Sequence, residues 1–335
     1  MARPATPRSD LPRAARDILA ATRAAKRVLI SSSGNLDADG LGSELALAAI
    51  CDFLKIQSVV VNDGDIPPSL RFLPGLERAK TFPDGVQTEC DLLLTVDCGS
   101  RELLGAVGEH LPAELRIGNI DHHAGNTQYG AWNWVDESAG AAGQLVYELA
   151  ALAGMPITQP MATCLYAAIT TDTGGFAYSN TSARSHSIAS HLLVAGADPS
   201  AITRALHRSR SGEFLKLMGR VLDGLHLHAG GRIAVAHVTH AMCEATGGDP
   251  DEGPGLMELV KSVGTAEVAM LLKEKPDGIV KVSVRSEGGV DVNQVAQRFG
   301  GGGHARASGC RLKAPIAEVE AQLVAAVEPL LPSPA

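Results

Sequence analysis

Short apolar runs recur along the chain up to about Leu193, separated by stretches whose apolar residues return at helical spacing. Arg27 to Ile30, Gln57 to Val61, Asp91 to Val96 and Arg116 to Ile120 have the length and β-branched character of buried strands. Between them, the segment opened by Gly40-Leu41-Gly42-Ser43 and continued by Leu45, Leu47 and Ile50 predicts a helix, as do Gln144 to Ala153 and Met161 to Ile169. Strands alternating with helices predict an α/β domain, a mostly parallel sheet flanked by helices. Leu11, Ala14, Ile18, Ala21 and Ala25 predict an amphipathic helix ahead of the sheet, behind a disordered tip.

The pattern changes at Gly196-Ala197-Asp198-Pro199-Ser200, where Pro199 can open a helix but not continue one. Ala201 to His207 and Glu213 to Leu225 predict two linker helices. Beyond Gly230-Gly231, Ile233 to His237, Glu267 to Leu272 and Ile279 to Arg285 alternate as strands, the last two joined by the turn Pro276-Asp277-Gly278. The expected layout is a first domain at 1–195, a helical linker at 196–228 and a smaller α+β domain at 229–335. A chain of 335 residues with 45% hydrophobic content supports two cores more easily than one.

Acidic groups close the apolar stretches of the first domain. Asp37-Ala38-Asp39 follows the first strand, Asp97 the third, Asp121-His122-His123 the fourth, and Asp172 ends a helix within Thr170-Thr171-Asp172-Thr173-Gly174-Gly175. Ligands of open α/β sheets bind outside the carboxyl ends of the strands, so these groups can gather at one edge. The triplet alone also fits a solvated loop; its company makes metal chemistry the better reading. The glycines at 40 and 42 are expected to let backbone approach a ligand.

Net charge is -8, which argues against coating long nucleic acid but leaves short anionic substrates open. Cys51, Cys90, Cys98, Cys164, Cys243 and Cys310 are scattered without a C-x-x-C pair, so reduced thiols are expected rather than a disulfide framework or a zinc ribbon. No apolar run nears the roughly 18 residues that cross a bilayer, and the N-terminus lacks a secretory pattern, so a cytoplasmic protein that does not engage a membrane is expected.

In the second domain, Gly300-Gly301-Gly302-Gly303-His304 lies inside structured sequence, between a helix ending near Phe299 and a strand starting at Gly309. Successive amides there can form an anion-binding nest with His304 as an added donor; a flexible linker is the alternative. Arg285 is a candidate phosphate clamp or an ordinary surface charge.

Taken in order, Asp37-x-Asp39-x-x-Gly42-Ser43, Val96-Asp97-Cys98, Asp121-His122-His123 and Thr171-Asp172-Thr173-Gly174 resemble the four motifs of the DHH phosphoesterase family. Ser283-Val284-Arg285-Ser286 and the glycine run with His304 resemble its associated C-terminal domain of the first type. The layout is similar to the NrnA-like branch, which degrades very short RNAs and dephosphorylates 3'-phosphoadenosine 5'-phosphate. The resemblance implies two divalent cations, manganese first with magnesium or cobalt as substitutes, held by Asp37, Asp39, Asp97, His122 and Asp172. Asp97 would bridge, Asp37 would serve one ion, and Asp39, His122 and Asp172 the other. It further implies a bridging hydroxide as nucleophile and His123 as a catalytic neighbour that orients Asp121 or the scissile phosphate, or protonates the leaving oxygen. Arg285, Gly302, Gly303 and His304 would bind substrate across an interdomain cleft that favours short RNA or a small nucleotide. A homodimer is also expected from the resemblance.

Two positions depart from the family. Ser33 stands where a histidine ligand is usual, four residues before Asp37, and Ala177 stands where related nucleases often carry arginine. The first departure motivates a rival reading, a nucleotide-binding or regulatory protein with a degenerate metal site. A cyclic dinucleotide phosphodiesterase is a further alternative within the superfamily.

Overall fold

The computed structural model describes residues 11–332 apart from 35, 85–89, 113, 208–209, 253–254 and 288; of His207 and His304 only the backbone is described. The expected disordered tip lies outside the described residues. Contacts divide the chain into two units, 1–209 and 210–335.

The first unit contains α1 (Arg13–Ala24), β1 (Arg27–Ser31), α2 (Ala38–Phe53), β2 (Gln57–Asn62), β3 (Ala79–Thr81), β4 (Leu92–Val96), α3 (Ala106–His110), β5 (Ile117–Asp121), β6 (Trp132–Val135), α4 (Ala142–Ala153), α5 (Gln159–Asp172), α6 (Ala183–Val194) and α7 (Pro199–His207). Its six strands run in the order β3-β2-β1-β4-β5-β6, and every neighbouring pair is parallel. A parallel sheet must be covered on both faces. Val28, Ile30, Val60, Leu94 and Ile120 face α1, α2, α4 and α5, while Leu29, Val61 and Leu93 pack with Leu104, Val107 and Leu111 on the other side.

Each expected strand of this unit is present, and β3 and β6 are additional. Both are short, and β6 carries two tryptophans in a four-residue span too brief to show alternation. Of the stripe expected for α1, Leu11, Ile18 and Ala25 are buried and Ala14 and Ala21 partly so, with Ala15, Leu19 and Thr22 buried beside them.

The second unit contains α8 (Gly212–Asp223), β7 (His226–His228), β8 (Ile233–Val238), α9 (His240–Thr246), α10 (Leu256–Lys261), β9 (Val268–Glu274), β10 (Val280–Ser286), α11 (Val292–Arg298), β11 (Gly302–His304), β12 (Ala307–Leu312) and α12 (Ile316–Val327). Its strand order is β11-β12-β10-β9-β8-β7, mixed because β8 and β9 are parallel and the rest antiparallel. One face packs on α11 and α12, the other on α8 and α10. The two expected linker helices are thus apportioned, α7 to the first unit and α8 to the second.

The glycines of α2 serve two ends. A Cβ on Gly42 would lie 2.6 Å from the Cys164 carbonyl oxygen, so this glycine lets α2 press against α5 rather than admitting a ligand. A Cβ on Gly40 would overlap the Ser32 hydroxyl and come 3.6 Å from Asp97 Oδ2, which keeps the start of α2 close to the end of β1.

Candidate metal centre

The strand order of the first sheet reverses direction between β1 and β4, so their following segments leave to opposite sides and open a crevice at the carboxyl edge. Val96 pairs with Ile120, which sets Asp97 and Asp121 side by side where β4 and β5 end. Asp97 adopts φ +54, a left-handed conformation that aspartate tolerates better than most residues but at a cost, and such strain concentrates at functional positions.

The carboxylates are brought in by different means. Asp37 caps α2, accepting the amides of Asp39 and Gly40 at 2.9 Å each. Asp39, in the first turn of that helix, is 1% exposed; its Oδ1 accepts from Gly143 N at 2.8 Å and Ser43 Oγ at 3.1 Å, and its Oδ2 from Ala142 N at 2.6 Å. It therefore satisfies the first amides of α4 while keeping lone pairs to spare. Asp172 ends α5, and Asn180 fixes that end by donating to the Asp172 carbonyl at 3.1 Å.

His122 is the hinge of the arrangement. Its Nδ1 lies 3.2 Å from the Ala139 carbonyl and donates to it, which leaves Nε2 to face the carboxylates. Nε2 is buried without a hydrogen-bond partner, yet lies 3.4 Å from Asp97 Oδ1, 3.5 Å from Asp172 Oδ2 and 3.8 Å from Asp39 Oδ2. Beside it, His123 Nδ1 is 2.8 Å from Asp121 Oδ1 and 3.7 Å from Asp97 Oδ1. Asp121 is fully buried and receives Asn126 Nδ2 at 2.6 Å on its other oxygen.

Charge balance points to a cation. Among the described residues no lysine or arginine pairs with Asp37, Asp39, Asp97 or Asp172. Burial and the neighbouring carboxylates raise the Asp39 and Asp172 carboxyls, and loss of water followed by the Asp97 charge pushes Asp37 up to about 6, although its own surface remains exposed at the mouth. Burial disfavours a charged His122, but Asp97, Asp39 and Asp172 overcome it and push the imidazole up to about 10. Each shift is the response of a protein that must neutralise gathered carboxylates with protons when nothing else does so.

Two overlapping donor groups result, Asp97 with Asp121, His122 and His123, and Asp39 with His122 and Asp172, each with ligand atoms within 4.8 Å of one another. Carboxylate and imidazole donors around an unpartnered, buried ring nitrogen fit a divalent ion. Asp37 lies outside both groups, and Ser33 sits two residues past the end of β1.

Several contributors escaped the sequence reading. Asn126 ties Asn119 to Asp121, and Glu44, wholly buried below the crevice, accepts Asn62 Nδ2 at 2.8 Å while burial drives its carboxyl well above the usual range. Asn126 stands three residues past the histidine pair, a position that could have been read as a loop anchor; Glu44 gave no signal beyond a charge within a largely apolar helix.

In the second unit Arg285 lines a cavity of about 590 Å³ with Gly300, Gly301, Gly302 and Ser308. The glycine run departs from a nest at Gly302–His304, which forms β11 and pairs with β12. A Cβ on Gly301 would overlap the Gly309 carbonyl oxygen, and one on Gly303 would lie 2.5 Å from that of Ala307, so strand packing demands both glycines. The His304 side chain lies outside the described residues.

A parallel sheet whose carboxyl edge holds carboxylates and imidazoles in this order defines a DHH-type metal-dependent protein. Residues 27–169 match the DHH family, N-terminal domain, and residues 213–331 the DHHA1 domain. The bifunctional oligoribonuclease and PAP phosphatase NrnA of Thermus thermophilus is 33% identical over 286 residues, 85% of this chain and 84% of that protein. Its namesake from Bacillus subtilis is 27% identical over 279 residues, 82% of this chain and 86% of that one. An exopolyphosphatase-related protein from Bacteroides fragilis superposes with a TM-score of 0.89 at 25% identity, covering 96% of this chain and 97% of that one. The chain belongs to the DHH phosphoesterase family. Among the described residues no helix is long and apolar enough to cross a membrane.

Proposed function

We propose that this chain is a metal-dependent phosphoesterase that hydrolyses short oligoribonucleotides and 3'-phosphoadenosine 5'-phosphate, adding water across a phosphoester bond and releasing nucleoside monophosphate. The observation that carries this reading is His122 Nε2, buried without a hydrogen bond among the carboxylates of Asp39, Asp97 and Asp172. The names of the Thermus and Bacillus relatives support the substrate class.

In this reading Asp97 would contribute to both of two ions, Asp37 to one, and Asp39, His122 and Asp172 to the other. Bound divalent ions, manganese foremost, supply water that ionises near neutral pH and neutralise charge on the phosphoryl oxygens. The chain's own residues do the rest. Asp121 holds His123 by Nδ1, which turns the other ring nitrogen outward, where it can give a proton to the leaving oxygen. Arg285 and Gly302, which line one cavity, recognise a phosphate of the substrate. The enzyme acts in the cytoplasm.

The test is manganese-dependent release of monophosphate from a 5'-phosphorylated diribonucleotide and from 3'-phosphoadenosine 5'-phosphate, with wild type, Asp97→Ala and Ser33→His over a metal titration. Turnover by wild type and its loss in Asp97→Ala are expected, with Ser33→His reaching half-maximal activity at lower manganese. Turnover by Ser33→His alone would overturn the reading and leave a nucleotide-binding protein.

A further inference from the structure

The second unit gathers a different set of donors at the edge of its sheet. β7 is the edge strand and pairs antiparallel with β8, His226 opposite Val235 and His228 opposite Ile233. Alternate strand residues share a face, so His226 and His228 lie on the same side as Ile233, Val235 and His237. Helix α12 covers that side. Its Val319, Leu323 and Val327 meet the apolar residues, and Glu320 meets the histidines.

The Glu320 side chain is 9% exposed, and three imidazoles converge on it. His226 Nδ1 lies 2.9 and 3.0 Å from its two oxygens, His228 Nε2 2.7 Å from Oε1, and His237 Nε2 2.8 Å from Oε2. Hydrogen bonding accounts for the first two. It does not account for the third, because His237 Nε2 is buried and, among the described residues, has no hydrogen-bond partner of good geometry. Two ligands each about 2.0–2.1 Å from one tetrahedral zinc ion lie about 3.3–3.4 Å apart, so an ion would part these groups by only about half an ångström. The ligand atoms of His226, His237 and Glu320 all lie within 4.8 Å of one another.

We propose that His226, His237 and Glu320, with His228 beside them, form a second metal site, distinct from the carboxylate centre of the first unit and selective for zinc or a similar first-row divalent ion. Imidazole-rich donors favour such ions over magnesium or calcium. Three protein donors, His226, His237 and Glu320, supply three positions of a tetrahedral shell while His228 holds Glu320 Oε1 from beside them, and an ion so placed braces the fold. It clips the edge strand β7 onto α12, where an edge strand three residues long has few hydrogen bonds of its own.

The experiment uses the full chain carrying Asp97→Ala and His122→Ala, stripped with chelator and titrated with zinc, and with cobalt for its visible spectrum. One zinc equivalent per chain, a tetrahedral cobalt spectrum and a higher Tm on zinc addition are expected. Adding His226→Gln with His228→Gln, both on the partly exposed strand, should weaken that equivalent at least tenfold and remove the Tm shift. Glu320→Gln, nearly isosteric, provides a second variant, and either one counts once its circular dichroism matches the parent. Absence of zinc uptake by the parent, or undiminished uptake by a folded variant, overturns the proposal and leaves three imidazoles gathered on a carboxylate without an ion.

Discussion

The Asp121 carboxylate, fully buried at the end of β5, holds His123 through Nδ1 at 2.8 Å and so fixes the orientation of a ring that is otherwise half exposed. The hydrogen bond to Asp121 is the main cause that raises the His123 imidazole above its ordinary value, outweighing burial. A raised value keeps the ring protonated to higher pH. Activity that needs the protonated ring should therefore fall as pH rises through that value, and Asp121→Asn should move the falling limb to lower pH. We expect a loss of about 10–100-fold in kcat as well, the usual cost of removing a carboxylate behind a functional imidazole. A pH profile of kcat for the two proteins decides it; an unmoved limb would remove His123 from the proton transfer.

Asp97 combines a left-handed backbone with a place among crowded carboxylates. Asp97→Gly should relieve both, stabilising the metal-free protein by about 1 kcal/mol while abolishing turnover. Urea unfolding in the presence of chelator measures the first effect, and a destabilised variant would show that the strain estimate is wrong.

Arg184 on α6 is bonded by Glu148 through two contacts, at 2.8 and 2.7 Å, and by Asp136 at 2.7 Å, with its side chain 15% exposed. Arg184→Met takes away the guanidinium shared by Glu148, which is nearly buried, and Asp136, which is partly exposed. The expected cost is about 3–5 kcal/mol, read from the shift in the unfolding midpoint.

Within the glycine run the positions should separate cleanly. A Cβ on Gly302 meets only Asn293 Oδ1 at 3.9 Å, so Gly302→Ala should fold as wild type and report on substrate through KM. Gly301→Ala, which would push into the Gly309 carbonyl, should unfold the second unit or lower its Tm markedly. Equal stability of the two variants would contradict the strand packing.

Much of the first unit was legible in the chain because periodicity and chemistry coincide there. Buried parallel strands read as apolar runs, and the acids that terminate them stand out because the interiors of those runs carry no charge. Legibility failed where one residue type serves two purposes. Gly42 and Gly301 look like ligand-approach glycines but exist for packing against Cys164 and Gly309. Asp39 looks like a ligand only, yet it also carries the amides of Ala142 and Gly143, more than a hundred residues away. The His226-x-His228 spacing places both rings on one face of a strand, but its meaning depends on Glu320 arriving from α12, and that partner has no local signature.

The pairing of Val96 with Ile120 has a consequence for how the first-unit site can vary. Adjacent strands stand about 4.8 Å apart wherever they are hydrogen-bonded. Asp97 and the Asp121-to-His123 segment begin where that ladder stops, so their separation is inherited from the most rigid dimension of the fold. Loops around the crevice can lengthen, and the residue at position 33 can be exchanged, without moving these two anchors. The sheet acts as a ruler, and drift in the surrounding sequence leaves its graduations where they were.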